Sequence, residues 1–455
     1  MKRFGFQLSR FFFASLLSWM IAIFSCVLFS CQKTNDSLGI QLNLEKKTLS
    51  NGLTVILVED HTMPLVSFQT WFKVGSVNEK LGSTGVSHMF EHLMFQGIKK
   101  YPAQEIFKQL EAQGAEVSAF TNRDYSVFYH LIPSGLLEKV VDIESDRMSH
   151  LILNEEVLNK EKLIIFEERR LRGESSYDSQ LQEALWQLAY RRHPYYQPVV
   201  GYPADWISMT LSQLQKHFKS YYQPRNATLV LVGDFKLAPT FKLIQRYYGE
   251  IPGRPRPKDE IPEEPEQNEE RRLIIRERVI SERFVQAYHI PSAQHDDAYA
   301  LDVLATLLFE GKGSRAQKRL IQEKNLALSI SGIAFTPSYP GLFLISCTLK
   351  SKLSSALAEA ELDRLISEVQ DHGVSEEELQ FAARQLTFLL LDGVRSYYGL
   401  GQLMGTVQMI LGDPMKFSKD LKKYAQVKSQ DVQRVAQKYF DPNHRSIVIL
   451  MPKSP

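Results

Sequence analysis

Cysteine is scarce in this chain: three occur among 455 residues. Cys26 and Cys31 belong to an apolar N-terminal segment, so only Cys347 remains in the body of the protein. No disulfide can therefore form within the body. Cys347 lies in an apolar run typical of a strand, which predicts a buried and inert thiol rather than a nucleophile.

An excess of charge of one sign is also lacking. The 54 basic and 52 acidic residues give a net charge of +2, and both signs are mixed along the chain. There is no basic stripe of the kind that binds nucleic acid, so the sequence argues against a nucleic-acid partner. About 420 residues follow the N-terminal segment, enough for two hydrophobic cores.

The first 31 residues predict export and attachment to a membrane. Basic residues at Lys2, Arg3 and Arg10 precede an apolar run over residues 11–29, which is typical of a secretion signal. The run ends in Leu-Phe-Ser before Cys31, which resembles a bacterial lipoprotein processing site. An uncleaved anchor is the alternative, because about 19 apolar residues just span a bilayer. Both interpretations place a tethered body outside the cytoplasm, in the periplasm of a bacterium.

One short motif carries the chemistry. His88, Glu91 and His92 form the pattern H-x-x-E-H, which places all three side chains on one side of a helix. Neutral imidazoles four residues apart can hold one zinc ion. The glutamate between them can then take a proton from the attacking water.

A catalytic zinc ion needs a third protein ligand, and a downstream helix offers one. Glu161 and Glu168 are seven residues apart and share one helix face, whereas Glu167 points about 100° away from Glu168. We predict Glu168 as the third ligand and Glu161 as a carboxylate that orients a ligating imidazole. Taken without the upstream motif, these glutamates would indicate only a solvated acidic helix face.

Several blocks together make the chain resemble the pitrilysin/insulinase family of zinc peptidases, which includes mitochondrial processing peptidase. The matching blocks are Gly75 to Glu79, Gly85 to Gly97, Glu161 to Glu168, His193 to Tyr195 with Gly201, Tyr222 to Asn226, and Val232 to Asp234. The resemblance implies that His88, His92 and Glu168 hold one zinc ion and that Glu91 is the general base. It also implies a closing chamber that admits short or unfolded peptides.

The division of the body into two halves is visible in the sequence. Residues 253–272 are rich in proline and charge, which predicts an extended linker. The block Tyr221-Tyr222 before a proline and an apolar strand recurs as Tyr439-Phe440, an offset of 218 residues (440 minus 222). We therefore predict an α+β fold with two duplicated domains, 43–252 with the zinc site and 273–455, each a mostly antiparallel sheet covered by helices.

A hairpin in the first half is the predicted binding site for the substrate backbone. Residues 117–121 and 126–132 predict two strands joined by a turn at residues 122–124. In the family, the substrate adds a strand to this edge, so Ser118, Ala119, Phe120 and Thr121 are candidate contacts. Family members often carry Asn where this chain has Ser118. A hairpin that simply faces the core is the alternative.

The second half departs from the family at two positions. Where family members carry an Arg and, seven residues later, a Tyr, this chain has Ile321 and Leu328. Those two family side chains stabilise the oxyanion, and loss of one such donor typically costs about 10²–10³ in rate. Arg315 and Arg319 are nearby but at other offsets.

The sequence thus predicts a tethered, extracytoplasmic zinc metalloendopeptidase that acts on peptides. Since some bacterial family members divide the work between two chains, we expect a heterodimer in which a homologous partner supplies the Arg/Tyr pair. A non-catalytic peptide-binding or assembly subunit that keeps a zinc site is the alternative. Residues His88, Glu91, His92 and Glu168 favour the enzyme, because a structural zinc site has no need of the Glu91 base.

Overall fold

A computed structural model of the protein describes residues 42–101, 105–174 and 176–453. The predicted signal or anchor and Cys31 lie outside these ranges. Within them, every helix is too short or too polar to cross a membrane.

Two β-sheets organise the described chain, and the second repeats the strand order of the first without an equivalent of its edge strand β1. The first sheet has the order β1-β2-β6-β3-β5-β4, and the second has the order β7-β11-β8-β10-β9. One pair in each is parallel, β2 with β6 and β7 with β11, and the other pairs are antiparallel. The strands are β1 Leu44–Thr48, β2 Thr54–Glu59, β3 Leu65–Phe72, β4 Glu116–Thr121, β5 Ser126–Pro133, β6 Ala227–Gly233, β7 Arg271–Glu277, β8 Arg283–Ile290, β9 Ala327–Phe335, β10 Gly341–Leu349 and β11 Arg445–Pro452. The predicted α+β fold with two mostly antiparallel, duplicated sheets is confirmed.

Helices cover both faces of each sheet. They are α1 Val86–Leu93, α2 Glu105–Glu111, α3 Leu137–His150, α4 Glu155–Glu168, α5 Tyr177–Ala189, α6 Pro203–Ser208, α7 Leu211–Tyr221, α8 Leu237–Tyr248, α9 Asp297–Phe309, α10 Ser355–His372, α11 Glu376–Gly393, α12 Tyr397–Leu411, α13 Lys416–Tyr424 and α14 Ser429–Tyr439. Every residue of the central strand β6 is buried, as expected for a strand covered on both faces.

The two halves exchange one helix each. Helix α5 from the first half packs on β8 and β11 of the second sheet, and α12 from the second half packs on β3 and β6 of the first. Glycine makes the second contact possible: a Cβ atom at Gly405 of α12 would lie 2.0 Å from the ring of Trp71 on β3. Because each half completes the other's sheet covering, the described chain behaves as one folded unit.

The predicted linker is extended, and it is fastened to the body. The Glu264 carboxylate accepts hydrogen bonds from the backbone N–H groups of Arg191, Arg192 and His193 at 2.8–2.9 Å. Asp259 accepts from the Tyr221 hydroxyl at 2.5 Å. These contacts fasten the segment to the first half, and its chain becomes strand β7 at Arg271.

Candidate metal centre

Helix α1 presents the H-x-x-E-H residues because its other face is apolar. Val86, Met89, Phe90 and Leu93 are buried at the spacing of a core-facing helix stripe. His88 and His92, one turn apart, lie off that stripe with their ring centroids 5.0 Å from each other. The helix begins after Gly85, whose φ of +80° is a conformation that favours glycine.

The N-terminus of α1 is capped by a distant carboxylate. Glu79 accepts hydrogen bonds from the backbone N–H groups of Gly85 at 2.6 Å and Ser87 at 2.7 Å. These groups have no partner inside the helix, so the carboxylate fixes the helix start at Val86, two residues before His88. Burial raises the pKa of Glu79 to about 7, while the two N–H groups act in the opposite direction. The sequence presented Glu79 only as part of a family block.

Helix α4 brings the two predicted glutamates to the imidazoles. Its buried stripe contains Leu158, Glu161 and Ile165, at positions i, i+3 and i+7. Ile164, another apolar residue of this helix, is instead exposed. Glu168 is the last residue of α4 and is followed by a π-helical turn over Arg169–Glu174.

The ligand atoms of the three predicted metal-binding residues converge. A Glu168 carboxylate oxygen lies 3.1 Å from His92 Nε2 and 3.7 Å from His88 Nε2. One ligand atom from each of the three residues lies within 4.8 Å of the others, and this is the one such group among the described residues. Two imidazole nitrogens and one carboxylate oxygen match the donor set of a catalytic zinc site, so the residues fit the ion that the sequence predicts.

Glu161 contacts the far side of the His92 ring. A carboxylate oxygen of Glu161 lies 3.4 Å from His92 Nδ1. A carboxylate on Nδ1 keeps the proton there and leaves Nε2 as the lone-pair donor towards a metal. Burial by itself lowers the pKa of His92, but Glu161 and Glu168 raise it to about 9. Metal binding at this site must therefore displace a proton, which makes it pH-dependent.

Glu91 lies beside the ligand group and next to the end of strand β4. Burial raises the pKa of Glu91 to about 7, although a hydrogen bond from Thr121 and the charge of the nearby His92 act to lower it. A divalent cation on the neighbouring ligands would lower this pKa in turn. A carboxylate that titrates near neutral pH can both take and return a proton.

The predicted substrate strand lies at an edge of its sheet. Strand β4 is the last strand of the first sheet, and among the described residues it pairs with β5 alone. Ser118 and Ala119 line a cavity of about 330 Å³ together with Glu91, His92 and Glu161. Phe120 points the other way, with its ring 6.3 Å from that of Trp71. The edge position leaves the backbone of β4 open to an added strand.

A second cavity of about 500 Å³ lies on the other side of the ligand group. His88 and Glu168 line it, and so do Arg123 of the β4–β5 turn and Trp186 of helix α5. The Arg123 guanidinium stacks 3.6 Å from the centroid of the Trp186 ring. The sequence indicated Arg123 only as a turn residue, because its partner Trp186 is 63 residues away (186 minus 123).

At the two positions where family members carry Arg and Tyr, this chain has side chains that cannot donate a hydrogen bond. Ile321 is partly buried against the second core, and Leu328 is exposed on strand β9. Arg315 pairs with both carboxylate oxygens of Glu378 at 2.7 and 2.9 Å. Arg319 is tied to Glu368 at 3.0 Å. Both arginines are therefore engaged within their own domain.

Residues outside the site have packing or ion-pair roles. His130 is buried with the Glu144 carboxylate 2.7 Å from its Nε2. Burial lowers the pKa of His193 to about 4 and that of His217 to about 3, so both are neutral packing groups. Cys347 is buried in strand β10, and burial raises its pKa to about 12, as expected for an inert thiol.

Comparison with known sequences gives two family matches. The family described as Insulinase (Peptidase family M16) matches residues 54–202, which include all the candidate ligands. The domain described as Peptidase M16 inactive domain matches residues 208–386.

Individual relatives are described as proteases. Zinc protease PqqE of Helicobacter pylori is 27% identical over 412 residues, which cover 90% of this chain and 93% of that protein. The crystal structure of a protease from Helicobacter pylori has a TM-score of 0.86 at 26% identity, covering 90% of this chain and 100% of that one. Probable zinc protease PqqL of Escherichia coli is 25% identical over 75% of this chain but only 38% of its own length. Its crystal structure, described as that of a periplasmic protease, has a TM-score of 0.74 at 18% identity over 91% of this chain and 48% of that one.

Proposed function

Because the chain belongs to the insulinase family of peptidases, family M16, we propose that it is a zinc metalloendopeptidase acting on short or unfolded peptides. The observation that carries the proposal is the convergence of His88, His92 and Glu168 within 4.8 Å, with Glu91 beside them. Relatives named zinc proteases support zinc as the metal.

The proposed roles follow from the positions of the side chains. His88 and His92 offer Nε2 and Glu168 offers a carboxylate oxygen to the metal, and Glu161 holds the His92 ring through Nδ1. A zinc ion held there would act as a Lewis acid, polarising the peptide carbonyl and lowering the pKa of a bound water towards ~7. Glu91 takes the proton of the attacking water and passes it to the leaving amine. The substrate would pair with the backbone of β4 at Ser118, Ala119 and Thr121. The Phe120 side chain supports this strand by packing against Trp71.

The first experiment compares the protein from Gln32 onward with its Glu91→Gln variant. Zinc content is measured alongside cleavage of an unfolded reporter peptide. We expect one zinc ion per chain in both proteins and turnover that depends on Glu91. Glu167→Gln is the matched control, since Glu167 lies on α4 next to Glu168 but pairs with Arg170 at the surface. Equal turnover by the Glu91→Gln variant would refute the proposed base.

We further propose that full activity needs a homologous partner chain. Two observations support this: Ile321 and Leu328 cannot donate side-chain hydrogen bonds, and Arg315 and Arg319 are engaged elsewhere. The test adds a homologous chain that lacks H-x-x-E-H but keeps the Arg/Tyr pair. A large increase in turnover supports the heterodimer, whereas rapid turnover by this chain alone contradicts it.

A non-catalytic peptide-binding or assembly subunit is the second candidate. The match to a domain described as inactive and the two apolar replacements favour it. The presence of Glu91, which a structural zinc site does not use, opposes it. Bound zinc with no Glu91-dependent turnover, either alone or with the partner, would decide for this candidate.

We also propose that the protein works outside the cytoplasm, tethered to a membrane through a lipid on Cys31 or through an uncleaved anchor. The signal-like composition of residues 1–31 and the relative described as periplasmic support this location. Metabolic labelling with a radioactive fatty acid, followed by cell fractionation, tests it. Label that disappears in Cys31→Ser indicates a lipoprotein. Membrane attachment without label indicates the anchor, and recovery in the cytoplasm contradicts both.

A further inference from the structure

The cavity on the His88 side of the metal ligands contains a cation, Arg123, that forms no ion pair with the described residues. Arg123, at the tip of the β4–β5 hairpin, lines this space of about 500 Å³ together with His88 and Glu168. Its Nε donates a hydrogen bond to the Tyr195 carbonyl at 3.2 Å, and its guanidinium plane lies on Trp186. No carboxylate of the described residues lies within ion-pair distance of the guanidinium.

The other charged side chains on this wall are matched. Arg169 and Glu183 form a two-bonded pair with distances of 2.9 and 3.3 Å. Asp178 pairs with Arg283 of the second sheet at 2.9 Å. Arg123 is thus the one cation of this wall that is left without an ion pair among the described residues.

The turn that carries Arg123 is held rigidly from both halves of the protein. The Arg123 carbonyl accepts a hydrogen bond from Val77 N–H at 2.9 Å. The neighbouring Asp124 is buried, and its carboxylate accepts from the Tyr195 hydroxyl at 2.5 Å and from Ser338 N–H of the second half at 2.9 Å. Asp124 therefore uses its hydrogen bonds to hold the turn in place, in contact with both halves of the protein.

Arg123 is partly buried, and a charged group that is partly removed from water without an opposite charge in contact is costly. Burial lowers the pKa of Arg123 to about 10, so the guanidinium is still cationic at neutral pH. A guanidinium stacked on an aromatic ring keeps its edge available, and that edge matches a carboxylate with two parallel hydrogen bonds. A carboxylate-bearing ligand would supply the missing anion.

We propose that Arg123 binds a carboxylate of the peptide substrate in this cavity, so that the enzyme favours peptides that place an acidic group beside the metal ligands. The carboxylate belongs either to an Asp or Glu side chain or to the C-terminus of the peptide. This inference rests on the proposed peptidase function, which makes the cavity part of the substrate path.

The test measures binding and cleavage separately. The zinc-loaded Glu91→Gln protein is titrated into fluorescein-labelled peptides, and fluorescence anisotropy gives the dissociation constant. One series places Glu, Gln or Lys at each position in turn, and a second pair has a free or an amidated C-terminus. The same peptides are then offered to the Glu91 protein, with its partner chain if one is required for turnover.

We expect one position, or the free C-terminus, to bind about 10- to 100-fold more tightly as a carboxylate than as the matching amide. A preference in the first series identifies a side chain, and a preference in the second identifies the C-terminus. In Arg123→Met, which keeps an apolar stem on Trp186, the preference should disappear while neutral peptides bind as before. Arg170→Met is the control, because Arg170 is exposed and paired with Glu167.

Arg123→Lys keeps the charge but loses the two-pronged geometry, so it should retain only part of the preference. If circular dichroism shows that Arg123→Met fails to fold, the partial loss of carboxylate preference in Arg123→Lys still tests the inference. Equal binding of Glu and Gln peptides, no binding of any peptide, or a preference that survives both variants would overturn the inference. Carboxylate preference in binding without Glu91-dependent cleavage would instead refute the proposed function and leave the Arg123 site standing.

Discussion

Replacing Glu161 by Ala should weaken zinc binding without removing a metal ligand. Glu161 is only 1% exposed, and one of its oxygens lies 3.4 Å from His92 Nδ1. His92 is its one ion-pair partner among the described residues. Without this carboxylate, the Nδ1–H group of His92 loses its acceptor, and the ring is free to place its proton on Nε2, the atom that faces the other ligands.

The expected size follows from what such supporting carboxylates contribute. Loss of one typically weakens metal binding about 10- to 100-fold, which corresponds to roughly 1.4–2.8 kcal/mol. Glu161→Gln keeps a carbonyl oxygen that can accept from Nδ1–H, so its effect should be smaller, on the order of a few-fold. Competition with a chromophoric zinc chelator at fixed pH gives the dissociation constants of all three proteins.

The matched control is Glu167→Ala on the same helix, whose carboxylate pairs with Arg170 at the surface. It should leave the zinc affinity unchanged. The melting temperature of each metal-free variant separates a loss of ligand orientation from a loss of fold. If Glu161→Ala binds zinc as tightly as the unmodified protein, the assignment of Glu161 as the group that orients His92 is refuted.

Three further predictions concern packing, pH and the missing donors. Gly405→Ala should destabilise the protein by about 1–3 kcal/mol in urea unfolding, because the added methyl group overlaps the Trp71 ring. Gly393→Ala is the control: its methyl group has no heavy atom of the described residues within 4 Å, so the change should be neutral or stabilising. Burial lowers the pKa of His217 to about 3, below its value near 6.5 in the unfolded chain. The folded state therefore keeps His217 neutral, and the free energy of unfolding is unaffected by this group above pH 6.5. It decreases as the pH falls from 6.5 towards 3, because the unfolded chain binds the proton more readily. Urea midpoints of His217→Phe should therefore fall less between pH 7 and pH 5 than those of the unmodified protein. The double variant Ile321→Arg, Leu328→Tyr should raise turnover by the chain alone by about 10² or more; unchanged turnover would show that these positions do not limit the rate.

The sequence was sufficient for the local parts of the site. The spacing of His88 and His92 predicted one helix turn, and both lie on α1. The seven-residue spacing of Glu161 and Glu168 predicted a shared helix face, and the two carboxylates approach the two sides of the same His92 ring. These relations depend on helix periodicity, which is a local property of the chain.

Other features depend on contacts between distant segments. The sequence placed the division between the halves at the linker, but it gave no sign that α5 and α12 each pack on the opposite sheet. Both helices are amphipathic or rich in small residues, and such patterns do not say which sheet will receive them. Arg123 was similarly indistinguishable from a solvated turn residue until the fold brought Trp186 against it.

Sequence spacing alone therefore indicates the kind of chemistry, with two imidazoles and one glutamate on one helix and a pair of carboxylates on another. Three further features depend on the packing of distant segments: Glu168 lies within reach of both imidazoles, β4 is an edge strand, and an arginine with no ion pair in the described part of the chain lies beside the ligands. The physical reason is that periodicity fixes which side chains share a face, whereas the packing of whole helices and sheets fixes which faces meet.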